Sequence, residues 1–161
     1  MNEGIMKVYY GNGKGKTMAA IGRGILEASE GRRVIIIQFL KGRNEEEMSF
    51  LRKLEPEIKL FRFEKSDAGF EELTPEKREE EAMNMRNGMN FARKVLSTGE
   101  CELLILDEVL GLLENGIVTM DALRELKSHI DEAEVICTGT HATEELIELA
   151  DEVYRLEAVK Q

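Results

Sequence analysis

The run Gly11-Asn12-Gly13-Lys14-Gly15-Lys16-Thr17 has the residue types and spacing that binding a polyphosphate demands. Successive backbone N–H groups can line one concavity only where Cβ atoms do not intrude, and three alternating glycines meet that condition. Lys16 would reach the phosphates as a point charge and Thr17 would offer its hydroxyl to Mg²⁺. The first turn of the following helix would add its partial positive charge. The pattern GxxxxGK[ST] is met except at its first position, where Tyr10 stands. The ligand expected from this loop is a nucleoside triphosphate with Mg²⁺.

A phosphate loop needs an acidic partner at the end of an apolar strand. Leu103-Leu104-Ile105-Leu106-Asp107-Glu108 supplies two carboxylates, Asp107 and Glu108, at the edge of a parallel sheet where they could hold Mg²⁺ directly or through water. The competing reading is that both acids cap the next helix. Gln38-Phe39-Leu40-Lys41-Gly42 and Thr138-Gly139-Thr140-His141 end two further strands, and ligands of open α/β sheets bind outside such ends. Lys41 is a candidate for neutralising phosphate charge or, equally, a solvated loop lysine. His141 lacks a second His or Cys with which to form a ligand set and reads as a loop or cap residue.

The elements that must position these groups follow from hydrophobic periodicity. Apolar runs alternate with helical patterns, which predicts an α/β fold: a doubly wound, mostly parallel twisted sheet with helices on both faces. Strands are expected over 5–10, 33–39, 59–63, 103–106, 134–137 and 153–156. Residues 33–39, nearly all apolar, read as the middle of the sheet. Helices are expected over 16–30, 44–54, 75–96, 119–128 and 143–149, with Thr74-Pro75 as N-cap and first helical residue of the longest. Met83, Met85 and Met89 read mostly as core, and Glu76 to Glu81 as a solvated face.

Bulk properties narrow the function classes. The 161 residues suit a single domain, 1–161. A formal net charge of −10 argues against a wide nucleic-acid surface, which needs arrays of Lys and Arg. No run approaches a bilayer span and the first residues lack a signal-peptide pattern, so a cytoplasmic protein with no membrane partner is expected. Cys101 and Cys137 are the only cysteines; without metal-ligand spacing they read as buried thiols in a reducing compartment.

Beyond the loop, the chain resembles the phosphate-loop ATP:corrinoid adenosyltransferases. The resemblance rests on Val8-Tyr9-Tyr10-Gly11 through Thr17, Gln38 to Gly42, Ala68-Gly69-Phe70, Leu106-Asp107-Glu108, Thr138-Gly139, Leu149-Ala150-Asp151 and Val159-Lys160, in family order across nearly the whole chain. It implies the RecA-like architecture of phosphate-loop NTPases. It also implies transfer of the 5′-deoxyadenosyl group of ATP to Co(I) of a corrinoid substrate, with release of triphosphate. In that setting Lys16, Thr17 and Glu108 would be catalytic, with ATP held by Gly11, Asn12, Gly13, Lys14, Gly15, Lys16, Thr17, Met18 and Lys41. Mg²⁺ would sit on Thr17, Glu108 and Asp107, and the corrinoid against Phe70. The resemblance further implies a homodimer and a flavin-dependent protein as reductant.

Three positions depart from the family pattern: Met18 replaces a threonine, Glu72 a tryptophan and Thr140 an arginine. Two other readings therefore stay open: an ATP-binding regulatory relative that no longer adenosylates corrinoids, and an ordinary phosphate-loop ATPase or kinase with Glu108 as base.

Overall fold

The β-branched run Val34–Gln38 is buried at every position, as a strand must be when helices or other cover lie on both of its faces. In the computed structural model, which describes residues 4–40 and 49–161, it is β2 of a six-stranded sheet. The other strands are β1 (Ile5–Tyr10), β3 (Ile58–Arg62), β4 (Leu103–Asp107), β5 (Glu134–Gly139) and β6 (Glu152–Arg155). Their order is β3-β2-β4-β5-β1-β6, and every neighbouring pair is parallel. The expectation that 33–39 forms the middle of the sheet is corrected: β2 lies one strand in from an edge, and β4 and β5 are central. A strand flanked on both sides and covered on both faces gives the same apolar signature wherever it lies.

Helix α1 (Lys16–Ser29) buries Ala20, Ile21 and Gly24 and packs across β4 and β5. That face of the sheet carries a core of Val34, Ile36, Ile58, Leu60, Leu103, Ile105 and Ile136. A 3₁₀ turn at Ser49–Leu54 contributes Leu51 to the same core. The helix expected over 44–54 is thus a tighter turn in its second half, and its first half lies outside the described residues.

The opposite face is covered by α2 (Pro75–Ser97), α3 (Val109–Glu114), α4 (Met120–Ser128) and α5 (Glu144–Leu149). Thr74 Oγ1 accepts the Lys77 amide at 3.3 Å, with proline at the start of α2, a cap contributing about 1 kcal/mol. Buried Ala82, Met85, Met89, Ala92, Val95 and Leu96 recur at helical spacing and form the stripe that meets the sheet. Met83, by contrast, is exposed. Glu81 departs from the solvated face predicted for its run. It is buried and accepts from the Lys65 and Ser66 amides and from Asn84 Nδ2, because a loop crosses that turn of α2. Cys101 and Cys137 are buried thiols, each pushed up to about 12 by burial.

Candidate active site

Parallel strands direct their carboxyl ends to one edge, so the loop after β1 and the ends of β2, β4 and β5 share a crevice. The first helical hydrogen bond of α1 runs from the Ala19 amide to Gly15 O. The amino end of α1, with its partial positive charge, thus opens on this edge at Lys16 to Met18. Lys16 Nζ donates to Gly11 O at 2.6 Å and Gly13 O at 3.0 Å, which holds the ammonium over the loop.

The glycines serve the scaffold more directly than the sequence suggests. Gly11 adopts φ +135, and a Cβ there would stand 2.0 Å from Leu156 O. Its amide donates to Gly139 O and Thr140 O, while the Gly13 amide donates to Leu156 O at 3.2 Å. The segment leaving β6 is fixed in turn by Leu156 N to Tyr10 O at 2.7 Å and Ala158 N to Asn12 Oδ1 at 3.2 Å. Leu156–Ala158 is thus a brace lying against the loop. The clash that Gly11 avoids is with this brace, and two glycine amides expected to face a phosphate are committed to the fold.

Asp107 is the hub of the crevice. Its carboxylate is buried and accepts from Thr17 Oγ1 at 2.8 Å, Thr138 Oγ1 at 2.7 Å and Gln38 Nε2 at 3.2 Å. It is therefore not a helix cap. Thr17 thus gives its hydroxyl proton to Asp107. Glu108 occupies the N-cap position of α3 with φ 64 and no side-chain cap bond; its amide donates to Thr138 Oγ1 at 2.9 Å. Leu40 is also left-handed, at φ 55, with its amide donating to Glu64 Oε1 at 2.5 Å. Among the described residues the two non-glycine positions with positive φ thus both follow carboxyl ends of strands, where local strain of about 1–3 kcal/mol each tends to accompany function.

Among the described residues no group of three or more His, Cys, Asp or Glu could hold a metal ion. Lys14, Met18 and Thr140 are exposed, and Lys41 lies outside the described residues. His141 is exposed in a loop, 3.8 Å from Glu114, as expected. Phe70, in a 3₁₀ turn, packs on the α2-side core with the Arg78 guanidinium 5.9 Å from its ring centre. Thr17 and Asp107 are on the α1 side, so Phe70 is not brought against the phosphate loop.

Three groups at this edge escape a reading of the sequence: Arg62, Glu64 and the brace at Leu156. Arg62 leaves one signal, since it shares the inward parity of Ile58 and Leu60 in β3. Burial holds the Glu64 carboxyl up at about 7, a shift that depends on packing and has no local pattern.

Comparison with known proteins agrees with this geometry. A KaiC-like protein from Pyrococcus horikoshii superposes with a TM-score of 0.63, covering 99% of this chain and 74% of that one at 18% identity. That likeness shows the fold, a RecA-like phosphate-loop NTPase architecture. A corrinoid adenosyltransferase of Escherichia coli K12 is 31% identical over 158 residues, 98% of this chain and 78% of its own length. One from Pseudomonas aeruginosa is 28% identical, with 98% and 76% covered. The family described as ATP:corrinoid adenosyltransferase BtuR/CobO/CobP matches residues 2–161, and the chain belongs to it.

Proposed function

We propose that this protein is an ATP:corrinoid adenosyltransferase: Co(I) of a reduced corrinoid attacks C5′ of ATP and triphosphate leaves. The cobalt–carbon bond forms as the C5′–O5′ bond breaks, and the electron pair of that bond departs on the triphosphate. The protein's task is to gather charge on the leaving group and to hold C5′ in line with cobalt. The observation that carries this reading is the joining of Lys16, Thr17 and Asp107 at the carboxyl edge, in a chain whose family shares that activity by name.

Lys16 and the first-turn amides of α1 bind the triphosphate. Thr17 and Glu108 would hold Mg²⁺, which would offset phosphate charge, and Asp107 orients the Thr17 hydroxyl through the 2.8 Å hydrogen bond. Gly11 and Gly13 set the shape of the loop, Lys14, Gly15 and Met18 flank the phosphates, and Asn12 ties the loop to its brace. Lys41 contributes a further cation and Phe70 packs against the corrinoid. The protein acts as a cytoplasmic homodimer, fed with electrons by a flavin-dependent protein. Among the described residues no helix is long and apolar enough to cross a membrane.

Incubation with ATP, Mg²⁺ and chemically reduced cob(I)alamin tests the proposal. Adenosylcobalamin with inorganic triphosphate supports it. ADP with phosphate overturns it in favour of an ATPase, and tight ATP binding without product overturns it in favour of a regulatory relative, the reading that Glu72 and Thr140 favour.

A further inference from the structure

The polar row at the carboxyl edge extends past Asp107. Gln38 is the register partner of both Arg62 in β3 and Asp107 in β4, so the three side chains leave the same face of the sheet. Two residues earlier in these strands, Leu60, Ile36 and Ile105 belong to the core beneath α1, which identifies that face as the one carrying the phosphate-loop helix. Arg62 Nε donates to Gln38 Oε1 at 3.0 Å, and Gln38 Nε2 donates to Asp107 Oδ2 at 3.2 Å. Gln38 is 1% exposed, and having one donor side and one acceptor side it can serve both neighbours in only one orientation.

Arg62 is therefore aimed by a buried amide toward the chain of groups that ends at Thr17. It is half-buried, and its only hydrogen bond among the described residues uses Nε. Among the described residues the two terminal nitrogens have no acceptor, so their donors are available to a ligand. Glu64, two residues on, is close enough for the Arg62 charge to pull its carboxyl down, but it makes no ion pair with Arg62 and gives its oxygen to the Leu40 amide. Each strand step is about 4.8 Å, so Arg62 lies roughly 10 Å along the edge from Asp107. The step from the loop after β1 to Thr17, which meets Asp107 of β4, runs along the edge in the same direction as the step from Asp107 to Arg62.

We propose that Arg62 is a further substrate-binding residue: its terminal N–H groups take phosphate oxygens of ATP and of the departing triphosphate, with Gln38 as the positioning residue that aims it. The planar fork of a guanidinium matches two phosphate oxygens at once. A carboxylate on the rim of a corrinoid offers the same oxyanion chemistry, and the test separates the two sources. The inference rests on the triphosphate being the leaving group held by the loop.

Calorimetric titration of the full chain with inorganic triphosphate plus Mg²⁺, and separately with adenosine, reads the assignment. Arg62→Gln is expected to weaken triphosphate roughly tenfold or more, the size of a charge-assisted hydrogen bond, with adenosine unchanged. Arg62→Lys, which restores charge without the fork, should recover part of that loss. The proposal is overturned if Arg62→Gln binds triphosphate as the parent does, including the case in which only KM for a carboxylate-bearing corrinoid rises. It is likewise overturned if triphosphate and adenosine weaken together, which marks a folding defect. Lys16→Ala serves as the reference: unchanged triphosphate binding there sinks the phosphate-loop reading itself, whereas loss there with none in Arg62→Gln sinks only the role of Arg62.

Discussion

Replacing Gly11 by alanine tests how firmly the phosphate loop is tied to the last strand. At φ +135 the new Cβ would lie 2.0 Å from Leu156 O and 2.9 Å from Leu156 C. The backbone region alone costs about 1–3 kcal/mol for a residue with a side chain. The obstacle is main chain, so no rotamer change relieves it and Leu156 must move. Moving it breaks the Leu156-to-Tyr10 and Gly13-to-Leu156 hydrogen bonds, at about 1 kcal/mol each. The expected loss is therefore about 3–5 kcal/mol, a large part of a stability of roughly 5–15 kcal/mol. Urea unfolding followed by tyrosine fluorescence suits this protein. It has no tryptophan, and the Tyr9 and Tyr154 rings meet edge to face at 5.6 Å in the strands concerned. A Gly11→Ala stability within about 1 kcal/mol of the parent, at unchanged denaturant slope, would refute the brace as the reason for glycine here.

Gly22 provides the opposite expectation: a Cβ there meets nothing within 4 Å, so Gly22→Ala should raise stability in the same assay by about 0.5–1 kcal/mol through helix propensity alone. Glu64 gives a pH signature. Burial raises its carboxyl to about 7, so the folded chain retains a proton that the unfolded chain releases, and the associated stability is full below about pH 4.5 and lost by about pH 7. Glu64→Gln keeps an acceptor for the Leu40 amide without a charge to bury. It should gain about 1–3 kcal/mol on the parent across that window; a difference independent of pH in urea midpoints contradicts this. Asp107→Asn places an NH₂ toward one of three donors and removes the charge. Titration should show ATP affinity losing most of its dependence on Mg²⁺, and an unchanged Mg²⁺ dependence rules out Asp107 as the group that orients Thr17. Glu72→Trp should speed reaction from cob(II)alamin plus a reductant if an aromatic beside Phe70 assists that step; an unchanged rate counts against the role given to Phe70.

The parts of the site legible in the sequence are those written in local patterns. The loop is recognisable because its glycines, lysine and threonine are contiguous, and Asp107 because a carboxylate ending a run of apolar residues has few structural uses. Thr138 could be located by position at a strand end, but not as the second hydroxyl on Asp107. Helix α3 had no readable bounds beyond acids that could cap it: its six residues, Val109–Glu114, are apolar nearly throughout, too short to establish a period. The burial of Glu81 and the anchoring of Leu40 by Glu64 depend on loops brought in from elsewhere, and Arg62 reads as an ordinary charged strand end until its register with Gln38 is known. What lay beyond sequence reasoning is mainly cross-strand pairing, which only the order of the sheet determines.

The brace also sets a timetable for the protein's synthesis. The loop is made before all of the sheet except β1, yet among the described residues β1 pairs only with β5 and β6, and the loop is closed against Leu156. A nascent chain that has emerged only through α4 therefore carries a phosphate-loop sequence with no strand beside it and no surface to shape it. The loop therefore takes its shape only after β5 and β6 have been made, so its nucleotide-binding form waits on strands more than 100 residues later in the chain.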